Sequence, residues 1–281
     1  MPNPYTRQQV LDRLNANIAK GEPILGAGAG IGLSAKFIER GGGDLIIIYN
    51  SGRYRMAGHG SAAGLLAFGD ANAIVMEMGE REVLPVVKET PVIAGVNGTD
   101  PTRRMSHFLR QVRDMGFSGV NNFPTVGLID GRFRQELEET GLGFYREVEM
   151  IRTAHKLDLF TIVYTCTPEE ARQMAEAGAD AIIVHVGTTS GGSIGVKHTR
   201  TTLEEAAQKV REQTAAVRAV RHDALILAHG GPIANPPDAD YIYQHTEAVG
   251  FVGASSIERL ATEPAIQETT AAFKKLRLRA R

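Results

Sequence analysis

The chain has 281 residues, 43% hydrophobic and 22% charged, with a formal net charge of −1. That balance supplies no field to draw in nucleic acid or an anionic membrane, and the length is ample for one large core. A single cysteine, Cys166, excludes an internal disulfide and a cysteine-rich metal site and fits a reducing, cytoplasmic setting. The first residues lack the apolar core of a signal peptide, and no apolar run approaches the roughly 18 residues that span a bilayer.

Val10, Leu11, Leu14 and Ile18 recur at helical spacing and predict an amphipathic helix over 5–20. Strand 1, at 23–26, runs into Gly26-Ala27-Gly28-Ala29-Gly30-Ile31-Gly32, with a helix from Ser34. The alternating glycines look like a dinucleotide-binding turn. The third glycine of that pattern is out of register, however, and strand 2 (44–49) ends in Asn50-Ser51 without an acid, which argues against a nucleotide cofactor. Strand 2 is continuously apolar, as a strand covered on both faces should be. Segment 50–60 is glycine-rich and cationic and reads as a long loop, functional or mobile.

Helices at 61–68 and at 71–87, the second interrupted at Pro85, lead to strand 3 at 91–96. A helix at 102–115, strand 4 at 119–121, a short helix ending at Thr140, a helix at 145–157 and strand 5 at 160–164 follow. Thr167-Pro168-Glu169-Glu170 carries the cap, first-position proline and acidic first turn of a helix start. Strand 6 at 181–184 leads into a small-residue loop, 185–195, that reads as a lid. A helix at 203–221, strand 7 from Leu225, a helix at 238–248 and strand 8 near Phe251 complete eight β–α units. Strict alternation calls for a parallel sheet. Eight units predict a closed (β/α)8 TIM barrel, a single α/β domain over 1–281 with a helix before strand 1; an open doubly wound sheet is the alternative.

Barrel active sites lie at the C-terminal strand ends. His185 and His229 follow strands 6 and 7 at equivalent positions and are the candidates for proton transfer. They also fit core histidines bonded to carbonyls, or ligands of a divalent metal (Mg or Zn), for which no third ligand is evident. Asn50, Ser51, Asn97 and Asn122 stand past strands 2, 3 and 4 and suit either a substrate carbonyl or ordinary turn chemistry. Arg53 and Arg55 fit a carboxylate or phosphate clamp, and Lys197 and His198 have the same standing. Gly28 offers close backbone approach. Tyr49 and Tyr164 suit barrel packing, with Tyr164 kept among the catalytic candidates.

Two late strand–glycine–helix turns, Gly230-Gly231 and Gly253-Ala254-Ser255-Ser256, predict an anion site, with Ser255 or Ser256 capping a helix whose N–H groups face the ligand. Tight turns alone would explain the same glycines. No lysine sits at a strand end, against a Schiff-base aldolase, and no carboxylate pair, against a glycosidase.

The run from Pro23 through Lys36 with 44–53, together with Gly119-Val120-Asn121-Asn122-Phe123-Pro124-Thr125 and Gly253-Ala254-Ser255-Ser256-Ile257-Glu258-Arg259, resembles the phosphoenolpyruvate hydrolase-like family over nearly the whole chain. The resemblance implies a TIM barrel related to phosphoenolpyruvate mutases and phosphonopyruvate hydrolases, and a similar domain forms the C-terminal half of a plant antiviral resistance protein. Unlike the mutases and hydrolases, this chain shows no acidic cluster at strands 2 and 3 to hold magnesium, and no cysteine- or lysine-bearing gating loop.

The expected function is a hydrolase or lyase of a small anionic 2-oxo acid, phosphoenolpyruvate- or phosphonopyruvate-like, cleaving a C–P or C–C bond with histidine acid/base help. The alternative is a non-catalytic barrel that binds a small anion for regulation or serves as an interaction module. Expected partners are the small anion and further copies of the chain, since charge is near zero and 73–78 is apolar; nucleic acid and membrane are not expected.

Overall fold

The computed structural model describes residues 4–197 and 201–279; His198 lies outside them. Helix α1 (Arg7–Ala19) starts with a capping box, in which the Thr6 hydroxyl accepts the Gln9 N–H and the Gln9 side chain accepts the Thr6 N–H at 2.9 Å. In chain order follow β1 (Ile24–Gly28), α2 (Gly32–Arg40), β2 (Leu45–Ile48), α3 (Asn50–Met56) and α4 (Ala71–Met78). Then come β3 (Val92–Gly95), α5 (Met105–Met115), β4 (Gly119–Asn121), α6 (Gly131–Glu139), α7 (Phe144–Lys156) and β5 (Phe160–Thr165). The last third holds α8 (Pro168–Glu176), β6 (Ala181–His185), α9 (Leu203–Arg218), β7 (Leu225–His229), α10 (Pro236–His245), β8 (Gly250–Gly253) and α11 (Arg259–Lys274).

Each strand pairs in parallel with its sequence neighbour, and β8 closes on β1 with Leu25 opposite Phe251. The predicted closed barrel is therefore the observed one. All four residues of β2 are buried, which is why that strand reads as an unbroken apolar run. Thr167 caps α8 with Pro168 in its first turn, as its sequence requires. Among the described residues no helix is long and apolar enough to cross a membrane.

Segment 50–60 corrects the sequence expectation. It is not a long loop: Asn50–Met56 is helix α3. Its glycine serves contact rather than flexibility. A Cβ on Gly52 would stand 3.1 Å from the Gly30 Cα, and one on Gly30 would stand 2.1 Å from the Gly52 carbonyl oxygen. The alternating glycines after β1 thus let α3 meet the strand end backbone to backbone.

The end of the chain corrects a second expectation. Helix α11 starts at Arg259, not at Ser255 or Ser256, and 254–258 form a turn closed by Glu258 N–H to Ala254 O at 3.1 Å. From there α11 stands away from the barrel, with Ile266 and Phe273 largely exposed. A groove of about 710 Å³ is left open over the outer face of β1 and β8, lined by Leu25, Val249, Phe251 and the α10 residues Ala239 and Tyr243.

Candidate active site

At the carboxyl ends of the strands lies a partly open cavity of about 70 Å³. That is several times the roughly 10–15 Å³ needed for one water, and far below the roughly 300–1,000 Å³ of sites for larger ligands. It suits an acid of a few heavy atoms and is too small for a nucleotide. Tyr49, Phe123 and Tyr164 form an aromatic wall, with successive ring centroids 4.7 and 6.1 Å apart. Hydroxyls of Ser51, Ser255 and Thr189 line it, and Ser61 and Leu65, from a short 3-10 turn after α3, complete the enclosure.

His185 and His229 sit side by side at the ends of β6 and β7, which the register pairs directly, with ring centroids 4.9 Å apart. Their hydrogen bonds assign opposite tautomers. His229 Nδ1 lies 2.6 Å from the Val252 carbonyl oxygen, which can only accept, so Nδ1 carries the proton and Nε2 a lone pair. His185 Nδ1 accepts the Gly187 N–H at 3.2 Å, so its proton is on Nε2. One ring is a base and the other a donor, both lining the same cavity.

Burial holds both rings neutral: it pushes His229 down to about 4 and His185 well below the ordinary imidazole range, the latter helped by the neighbouring His229. A lowered folded-state value means that the unfolded chain takes up a proton below about pH 6.5 that the folded chain refuses until about pH 4. Stability from this group is complete above pH 6.5 and is lost as pH falls. The stability difference between parent and His229→Gln, measured by urea unfolding, should therefore shift by about 3 kcal/mol against the parent from pH 7 to pH 4. A pH-independent difference would mean that His229 is not buried neutral.

Arg55 comes from α3 and is 2% exposed. Its Nε and Nη2 donate to Glu258 Oε2 at 2.9 and 2.5 Å, and Nη2 also to Gly28 O at 3.3 Å. Glu258 Oε1 accepts the Gly30 N–H at 2.7 Å. Burial, the largest effect, would lower the arginine, but the charge and hydrogen bonds of Glu258 together with the neighbouring Tyr49 outweigh it and the guanidinium stays charged. Arg55 Nη1 and the Tyr164 hydroxyl, both buried, have no hydrogen-bond partner. Burial, with Tyr49 beside it, raises the Tyr164 phenol well above its usual range, so it remains a protonated donor.

The other sequence candidates distribute unevenly. Ser51, Ala254 and Ser255 line the cavity, and Gly28 borders it: a Cβ there would meet the Tyr49 hydroxyl at 2.9 Å. Arg53 points elsewhere, paired with Glu77 at 3.0 Å and Glu82 at 2.5 Å. Residues two apart on a helix project about 200° apart, so only one of Arg53 and Arg55 can face inward. Asn122 is consumed by structure, donating to Glu147 at 2.7 Å and to Tyr164 O at 3.1 Å while accepting the Tyr164 N–H at 2.7 Å. Glu147 is fully buried, and burial lifts it to about 8 against those donors. Asn97 exchanges bonds with Asn72 and Thr99, and Asn50 donates to Gly64 O.

The predicted glycine anion site is not assembled as expected. Gly231 N–H is already bonded to Gly187 O at 2.7 Å, and Ser256 faces the outer groove, while Gly253 lies against Ser256 and Ile257. No helix begins at Ser255 to lend its dipole. The β6 loop is fastened to α11, through Arg259 to Gly191 O at 2.9 Å and Ser193 N–H to Glu263 at 3.0 Å, and Lys197 is exposed. Arg55 and Glu258 are the residues that sequence reasoning undervalued; their signal, an arginine on α3 and the Glu258-Arg259 pair after β8, is legible only once their contact is known.

These features define a (β/α)8 barrel with a small cavity at the carboxyl ends of its strands. The chain belongs to the phosphoenolpyruvate hydrolase-like family, whose model matches residues 9–276. It is 57% identical over 268 residues to the ToMV susceptible protein tm-1(GCR26) of Solanum lycopersicum, covering 95% of this chain but 35% of the tomato protein. The chain thus spans about a third of the length of that relative. Among solved structures it is similar to an oxaloacetate acetylhydrolase (TM-score 0.64, 16% identity, 97% and 88% of the two chains). It is also similar to a phosphonopyruvate hydrolase in complex with oxalate and Mg++ (TM-score 0.58, 20% identity, 96% and 88%). At these identities the likeness is one of fold.

A magnesium site of that kind does not fit the residues here. Among the described residues no group of three or more His, Cys, Asp or Glu side chains is placed to hold a metal. Among the described residues no carboxylate lines the cavity; Glu258, behind Arg55, has both oxygens engaged, and the Arg55 guanidinium repels a cation.

Proposed function

We propose that this chain is a lyase or hydrolase of a small anionic 2-oxo acid, with His229 as general base and His185 as hydrogen-bond donor to the substrate carbonyl. The observation that carries the reading is the pair of opposite neutral tautomers in one small cavity that Arg55 also lines. Arg55 holds the carboxylate. His229 Nε2 takes a proton from the carbon next to the carbonyl, and the developing oxyanion is stabilised by His185 Nε2–H and the Tyr164 hydroxyl. A neutral imidazole N–H suffices for that role and does not need to titrate. The test is hydrogen exchange at C3 of pyruvate in heavy water, followed by proton NMR. Exchange supports the enzyme reading; binding without exchange supports the alternative, a barrel that senses a small anion.

We propose further that the chain self-associates over the outer face of β1 and β8. Ile266 and Phe273 are 63% and 71% exposed on α11, while the groove that a helix after β8 would cover is apolar and open. A second copy supplies the missing helix and receives one in return, so the contact closes with two-fold symmetry. Light scattering should give a dimer, and Phe273→Asp should shift it toward monomer; a monomer mass for the parent at micromolar concentration refutes this.

A further inference from the structure

We infer that the cavity is a metal-independent site for a small monocarboxylate, anchored by Arg55 Nη1, and that Glu258 sets its charge selectivity. The inference rests on the reading above that a 2-oxo acid binds at the strand ends. It narrows that reading to monoanions and departs from the magnesium and oxalate of the structurally similar hydrolase.

The first argument is the unpaired donor. Three of the guanidinium hydrogen bonds are spent on Glu258 and Gly28, yet Nη1 is buried without a partner. A buried charged donor left unmade is costly, and a carboxylate oxygen is the acceptor that best relieves it. The Tyr164 hydroxyl is likewise buried and unpaired, on a residue that lines the same cavity, and is a second donor for a ligand that presents more than one oxygen. A carboxylate with an adjacent carbonyl satisfies both.

The second argument is the charge count. Among the described residues Arg55 is the one cation lining the cavity, and Glu258 sits on it as an ion pair with both side chains 1% exposed. His185 and His229 are held neutral by burial, and Tyr164 keeps its proton. Lys209, whose charge is felt at His185, lines a separate open groove that shares His185 as a wall. One added negative charge shares Arg55 with Glu258. A second meets no further cation among the described lining residues and is repelled by Glu258. Phosphate and oxalate dianions are therefore disfavoured on charge, not on size, since neither is larger than pyruvate.

The experiment is calorimetric titration of the full chain with pyruvate and with oxalate, each in chelator and in added magnesium. Pyruvate is expected to bind equally in both conditions, and oxalate at least about tenfold more weakly than pyruvate in both. Glu258→Gln keeps an acceptor for Gly30 N–H while leaving Arg55 uncompensated, so its oxalate affinity should rise about tenfold over the parent, a gain that misfolding cannot produce. If pyruvate binding requires added magnesium, or oxalate binds the parent in chelator as tightly as pyruvate, the inference is overturned while the 2-oxo acid reading stands. A folded Glu258→Gln without the oxalate gain overturns the role given to Glu258. If neither acid binds in any condition, the 2-oxo acid reading itself fails, and the inference falls with it.

Discussion

Replacing Gly30 with alanine should destabilise the protein by about 3 kcal/mol, a fall in melting temperature of roughly 6–12 °C for a chain of this size. The added Cβ would stand 2.1 Å from the Gly52 carbonyl oxygen and 2.8 Å from Met56 Cγ. The side chain can yield, but the backbone oxygen moves only if α3 moves as a body. That shift carries Arg55 with it and disturbs the Gly30 N–H bond that holds Glu258, so anion binding should be lost along with stability. Gly42→Ala is the control. Nothing lies within 4 Å of a Cβ there, and only its left-handed backbone, φ +85°, opposes the change, at about 1–2 kcal/mol. Differential scanning calorimetry of the two variants decides the matter: a Gly30→Ala protein that melts no lower than Gly42→Ala would show that β1 and α3 do not meet as closely as described.

His229→Gln should slow C3 hydrogen exchange of pyruvate by about 10²–10⁴-fold, the usual contribution of a positioned general base. Glutamine can still donate to Val252 O, and Arg55 is untouched, so pyruvate affinity should stay within about tenfold of the parent. The split between rate and affinity separates a lost base from a collapsed pocket. Because burial holds His229 down to about 4, the exchange rate of the parent should be level from neutral pH to about pH 5 and fall only toward pH 4. An acid limb near the ordinary imidazole value, or a variant that exchanges as fast as the parent, would place the base elsewhere.

The architecture and the histidine pair were legible from local pattern. A strand buried on both faces must be apolar throughout, as Leu45–Ile48 is, and a helix start must satisfy its first N–H groups, as Thr167 does. Both signals lie within a few residues of one another. His185 and His229 were equally readable, because each directly ends an apolar strand in adjacent units of the same repeat, and the parallel register then places them opposite each other.

Only the tertiary structure decided what surrounds them. Arg55 and Glu258 are 203 positions apart, and no local pattern joins them until the β8–β1 closure does. Which of Arg53 and Arg55 faces inward depends on 50–56 being helical, which composition concealed because Gly52 is there for its contact with Gly30. Asn122 reads like a ligand donor until the buried Glu147 claims it, and the Gly230-Gly231 turn reads like an anion site until Gly187 takes the Gly231 N–H. The physical reason is the same in each case. Periodicity and caps are set by neighbours along the chain, whereas the partner of a buried donor or charge is chosen among groups that folding alone brings within 3 Å.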